Sequence, residues 1–196
     1  MPKVDLATIE ETNHTSYPPP HGDAVAGRWY RKLAGPLGLT DFGATYVRLE
    51  PGAWSSQRHW HEGEDELLVM IEGEAVLVED DGRTLLTAGD VASWPKGVAN
   101  GQHLINESDA PCQFLAIGRP ALTDCHYPDV DMHLDSASGT FVPKASALSV
   151  RRRPMPGKAS RLTRQRLHHR QAAPGRTAAR STAQFRRSCR SCCGRW

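Results

Sequence analysis

Acidic residues are missing from the last 61 positions of this 196-residue chain, since all 22 Asp and Glu lie at or before Asp135. Of the 24 Lys and Arg, 15 fall in residues 144–196, so the net charge of +2 averages an acidic body and a basic end. Whole-chain charge therefore excludes no class of partner. Cysteine is scarce, five in all, an odd number that leaves a full disulfide framework incomplete. No apolar run approaches the roughly 18 residues that a membrane-spanning helix needs. The start, Met1-Pro2-Lys3-Val4-Asp5, has no apolar segment of the secretory kind, so the expectation is a cytoplasmic protein. Capped amphipathic helices are lacking as well, and with them any helix-turn-helix candidate.

What is present divides into three. Residues 1–40 have weak periodicity and a Pro18-Pro19-Pro20 run that breaks helices, and they read as an N-terminal arm lying over a domain. Residues 41–135 read as short strands with turn signals at close intervals, the pattern of a sandwich or barrel. The strand candidates are 42–50, 66–71, 74–79, 83–87, 91–94, 102–106 and 113–118. Glu72-Gly73 is a hairpin candidate, and Asp80-Asp81-Gly82 is the next turn. A stretch of about 95 residues encloses one small apolar interior.

Residues 136–196 are rich in Arg, Ala, Ser, Pro and Gly with few large apolar residues. Such a segment does not bury enough surface to offset its ordering entropy, so a disordered basic tail is expected. The same composition is what out-of-frame translation of a GC-rich gene produces. Any contact with nucleic acid would run through this tail alone, because the acidic barrel repels phosphates. Cys189-Arg190-Ser191-Cys192 has a metal-type spacing, with His168 and His169 as distant second ligands. Incidental cysteines in an unstructured tail are the simpler reading.

His59-Trp60-His61 carries the chemistry. Alternate residues of a strand share a face, so both imidazoles converge on one point. Glu66 opens the next apolar run, and antiparallel pairing sets it beside them. Two neutral imidazoles and a carboxylate make a three-ligand face for a divalent metal that leaves positions open. Two imidazoles favour Fe, Mn or Zn over Mg. Glu62, Glu64 and Asp65 read as a solvated loop, with Asp65 a substitute ligand.

These residues carry a family resemblance. Gly52-(six residues)-His59-Trp60-His61-(four residues)-Glu66-(six residues)-Gly73 resembles the first motif of the cupins, with one residue more after the first glycine. Gly89-(five residues)-Pro95-Lys96-Gly97, followed by Asn106, resembles their second motif. "RHWHEGEDELLVMIEGEAVLV" and "AGDVASWPKGVANGQHLIN" are similar to small bacterial single-domain cupins, sometimes labelled transcriptional regulators or sugar-phosphate isomerases. The resemblance covers about residues 1–135 and not the tail. It implies an all-β jelly-roll barrel and a metal held by His59, His61, Glu66 and a histidine of the second motif. The family's spacing sets that fourth position on Gln102, with His103 next to it. Gln102 would ligate through its amide oxygen. His103 would need a bulge to turn inward, since one step along a strand reverses the face. A three-ligand site is the third outcome.

Trp60 should point away from the metal, and Trp94 should line the barrel mouth. Leu68 and Met70 share the parity of Glu66 and should face the interior. Leu67, Val69 and Ile71 face the other way, which asks for a covering sheet or a second subunit, hence a homodimer. His126, Asp129, Asp131 and His133 form a second polar cluster, read as an exposed strand end. The functional expectation is a metal-binding barrel for a small polar molecule, an organic acid or sugar derivative. Dioxygenase-type and isomerase-type turnover and ligand binding without turnover all remain open.

Overall fold

The computed structural model describes residues 3–119 and 123–144. Residues 145–196, which hold most of the expected tail and its cysteine motif, lie outside the described residues. The strands are β1 Arg28–Lys32, β2 Gly43–Leu49, β3 Trp60–His61, β4 Glu66–Glu72, β5 Glu74–Glu79 and β6 Gly82–Thr87. After them come β7 Val91–Trp94, β8 His103–Ile105, β9 Cys112–Gly118, β10 Cys125–His126, β11 His133–Asp135 and β12 Thr140–Val142. Two short 3-10 turns, Leu6–Thr8 and Asp23–Val25, precede them. One sheet runs β1-β2-β9-β4-β7, a second β12-β11-β10-β3 and a third β6-β5-β8. The turn spacing asks for a sandwich or barrel, and the all-β jelly-roll barrel that the resemblance implies is what forms.

Period-two alternation decides what is inside. Along β4, Glu66, Leu68 and Met70 are buried while Leu67 and Ile71 are exposed. β9 sits between β2 and β4 and buries Cys112, Phe114 and Ala116 on the same side. Val47, Leu49, Ala75, Leu77 and Leu104 belong to the same apolar core. A second core gathers Tyr17, Val25, Cys125, Tyr127, Met132 and Leu134. Fully burying one Leu or Phe side chain stabilises by about 1.5–3 kcal/mol, so these two clusters carry the fold.

Three sequence expectations change. The sheets reach beyond residues 41–135: β1 lies in the stretch read as an arm, and β12 pairs with β11 past Asp135. The Arg and Lys of β1 hide its alternation, because Arg28 itself is buried, with its Nη1 donating to Ser55 O at 2.8 Å. Earlier residues also pack inward. Thr12 bridges Tyr30 through two backbone bonds of 3.1 and 2.9 Å, and Tyr17 joins the second core.

The third change concerns Glu72-Gly73, which is not a hairpin. β4 pairs with β7 and β9, while β5 pairs with β6 and β8, so the chain crosses between sheets there. The true two-residue hairpin loop is Asp80-Asp81, between β5 and β6. Gly73 has φ +71°, and a Cβ at this position would stand 3.0 Å from Cys112 Cα and Pro111 O. Both the left-handed backbone and the neighbouring strand therefore require glycine. Gly73→Ala should lower the unfolding free energy by about 1–3 kcal/mol, read as a lower denaturant midpoint with an unchanged slope.

Candidate metal centre

β3 is only two residues long, and its neighbours set which way each side chain faces. His61 lies opposite Cys125, and Trp60 lies opposite His126. Just before β3, His59 and Gln102 form an isolated bridge, with backbone bonds of 3.2 and 2.9 Å. Directly opposed residues of an antiparallel pair project to the same side. Cys125 therefore shares the side of His61, and Gln102 that of His59. Glu66 is opposed to Trp94 on the inner face of the large sheet. His59, His61, Glu66, Gln102 and Cys125 are all buried.

The donors are held by specific partners. His59 Nδ1 lies 2.8 Å from Gln57 O and 3.2 Å from Ser56 Oγ. A carbonyl only accepts, so Nδ1 carries the proton and Nε2 keeps the lone pair. The ring of His59 stacks on Tyr127, with centroids 5.6 Å apart. His61 Nε2 approaches Glu66 Oε1 at 3.1 Å, without hydrogen-bond alignment, and its Nδ1 is 3.9 Å from Glu64 Oε2. Gln102 Nε2 donates to Glu66 Oε2 at 2.8 Å. One donor atom each from His59, His61 and Cys125 lies within 4.8 Å of the other two.

Electrostatics at His61 are lopsided. Burial works against a charge on the ring, but Cys125 and Glu66 beside it outweigh that and hold it up at about 10. Burial, then Cys125 and Tyr17, raise the Tyr127 phenol well above its ordinary range. Among the described residues, Gln102 Oε1 is buried without a hydrogen-bond partner, and the His61 nitrogens meet the carboxylates of Glu66 and Glu64 without hydrogen-bond alignment. A buried acceptor such as Gln102 Oε1 costs about 1–3 kcal/mol when left unpaired. A divalent cation among imidazole, carboxylate and amide donors answers that cost, so these residues fit a metal.

The sequence candidates separate clearly. His59, His61, Glu66 and Gln102 are brought together. His103 is not: its Nδ1 lies 3.0 Å from Ser56 O, and its ring stands edge-on to Trp54 at 4.6 Å. No bulge turns it inward, and the alternation of faces holds. Of the expected solvated loop only Asp65 is exposed, its Oδ1 accepting from Lys96 N at 2.8 Å. Glu64 is buried near His61, and Glu62 pairs with His126 at 2.9 Å. Trp60 faces away from the centre and stacks on His126 at 4.2 Å. Trp94 is buried and donates to Glu79 Oε1 at 2.9 Å.

Of the second polar cluster, read as an exposed strand end, His126 and His133 stay together, opposed across β10 and β11 with ring centroids 5.1 Å apart, and His133 is buried. His133 pairs with Asp124 at 3.2 Å, Asp131 accepts from Lys144 N at 3.0 Å, and Asp129 grips Arg58. Cys125 was not among the site candidates. It stands 64 positions beyond His61, and a buried cysteine in a two-residue strand has no spacing signal. Only strand pairing reveals it.

A family profile described as Cupin domain matches residues 45–118. Among solved structures, one is titled sugar phosphate isomerase from a cupin superfamily, from Silicibacter pomeroyi. It is 41% identical over 74% of this chain and 94% of that chain, with a TM-score of 0.70. A protein from Acidithiobacillus ferrooxidans shares the fold at 20% identity and a TM-score of 0.55, over 70% of this chain and 81% of that chain. A comparison with curated proteins finds no match.

Asp129 illustrates a surface carboxylate with a structural task. Its two oxygens accept from Arg58 Nε and Nη2 at 2.7 and 2.6 Å, and those bonds hold it below the usual carboxylate range. The side chain is 55% exposed, so the pair contributes at most about 1 kcal/mol. A depressed carboxylate stabilises only while ionised. The deficit of Asp129→Asn should be full above about pH 3.9 and fade as pH falls through the lowered value. Denaturant titrations from pH 7 to about 3 check the sign, and metal content should be unchanged.

Proposed function

The chain belongs to the cupin superfamily, and on that premise we propose that it holds a divalent metal in the barrel and turns over a small polar substrate. The substrate class is a sugar phosphate or a similar sugar derivative, and the reaction is an isomerisation. The observation that carries this reading is the convergence of His59, His61, Glu66 and Gln102 on one buried side. The 41%-identical relative, titled a sugar phosphate isomerase, supports isomerisation over dioxygenation.

A bound metal supplies Lewis acidity toward a substrate oxygen or lowers the pKa of water. The chain's own residues do the positioning. Gln57 O and Ser56 Oγ orient His59 so that Nε2 faces outward from its backbone anchor. Gln102 fixes the Glu66 carboxylate through its amide. Among the metals expected, Fe, Mn and Zn all accept imidazole and carboxylate. The thiols of Cys112 and Cys125 are unpaired and suit a reducing compartment such as the cytoplasm. Among the described residues, no helix is long and apolar enough to cross a membrane.

Elemental analysis of purified wild type and His59→Ala tests the site. Wild type should carry close to one metal per chain, and the variant should bind it at least tenfold more weakly. Interconversion of aldose and ketose phosphates, followed by wild type with and without chelator, tests the reaction. Metal binding with no turnover on any sugar phosphate would leave a ligand-binding barrel instead.

A second copy of the chain fits the same reading. Leu67, Ile71 and Val91 are exposed on the outer face of the large sheet, with Val69 half-buried among them. Such a face is normally covered. Light scattering should give a dimer, and Ile71→Arg should shift it toward monomer without lowering metal content.

A further inference from the structure

The two thiols described make an internal comparison. Cys112 is buried among Leu49, Phe114 and other apolar side chains, and burial pushes its thiol up to about 11. Apolar packing accounts for it fully. Cys125 is also fully buried, but it sits opposite His61 in the β3–β10 register. One donor atom from each of His59, His61 and Cys125 falls within 4.8 Å of the other two.

We propose that Cys125 is a metal ligand, so that the centre contains a thiolate together with the imidazoles of His59 and His61. This rests on the metal-binding reading above and sharpens it. A thiolate from β10 and a histidine pair from the β3 segment reach one point because the strands oppose each other residue for residue. Metal uptake takes the thiol as thiolate and sends its proton to solvent. Gln102 then has a different task. Its Nε2 is committed to Glu66, which keeps that carboxylate in place beside His61. The donor set becomes softer than imidazole and carboxylate alone. It favours Zn or Fe and disfavours Mn, which prefers oxygen ligands.

The test uses the full chain carrying Cys189→Ser, Cys192→Ser and Cys193→Ser, so that thiols near the C-terminus do not contribute. Loaded with Co, it should show a near-ultraviolet sulfur-to-metal charge-transfer band. Loaded with Zn, its X-ray absorption should need a sulfur neighbour at about 2.3 Å beside nitrogens at about 2.0–2.1 Å. Adding Cys125→Ser should abolish both signals and weaken Zn binding by about 100-fold. Adding Cys112→Ser should leave the signals in place. The Zn measurement on the Cys125-containing protein needs no substitution in the core, so a folding defect in Cys125→Ser does not spoil the test. Metal bound at His59 with only nitrogen and oxygen neighbours overturns the thiolate and leaves the proposed function standing. A protein that binds no metal overturns both.

Discussion

Residue-for-residue opposition across very short antiparallel segments is the constraint on which this protein depends. His59 with Gln102, and His61 with Cys125, are each set face to face by backbone pairing. Further backbone bonds run from Gly97 N to His61 O at 2.8 Å and from Glu62 N to Asp124 O at 3.3 Å. Side chains on successive residues must then alternate, so Trp60 faces away whenever its two neighbours face in. A slip of one residue would put the indole among the donors and both imidazoles outside.

The centre lies where two apolar clusters meet. One is the barrel core around Leu68, Met70 and Phe114, and the other is built by Tyr17, Tyr127 and Met132. Low-dielectric surroundings make unpaired polar atoms expensive and make each charge act strongly on its neighbours. His61 shows both effects: burial opposes its charge, and adjacent Cys125 and Glu66 reverse the outcome. Aromatic rings then seal the second cluster, with Tyr17 edge-on to Tyr127 at 5.9 Å and Tyr127 stacked on His59. The residues ahead of β1 thereby help to wall the site, through Tyr17.

Charge is distributed to the same end. Acidic side chains at the rim are engaged: Glu62 with His126, Asp124 with His133, Asp129 and Asp80 with Arg58. The Arg58 pairs and Glu62–His126 are partly exposed and contribute little to stability individually, whereas His133–Asp124 is largely buried. Their effect is positional, tying residues next to His59 and Cys125 to the rest of the barrel. Arg58, immediately before His59, links the 129 loop and the β5–β6 turn at the point where the donor strand begins.

The residues of the two motifs were legible because their chemistry and spacing are local. Gly73, His59, His61 and Glu66 fall within 15 positions, and a two-residue period says which of them share a face. The all-β class was legible for the same reason. Strand partners were not, since β9 joining β2 to β4, or β10 joining β3, is decided by contacts far apart in the chain. That is why Glu72-Gly73 was taken for a hairpin, whereas β1 was read as an arm because its Arg and Lys mask the alternation. By itself, the order of amino acids determined alternation, turn positions and a pair of imidazoles beside a carboxylate. Tertiary structure alone decided that Gln102 rather than His103 faces them, and that Cys125 stands opposite His61, because which strand lies next to which is a property of the closed sheet.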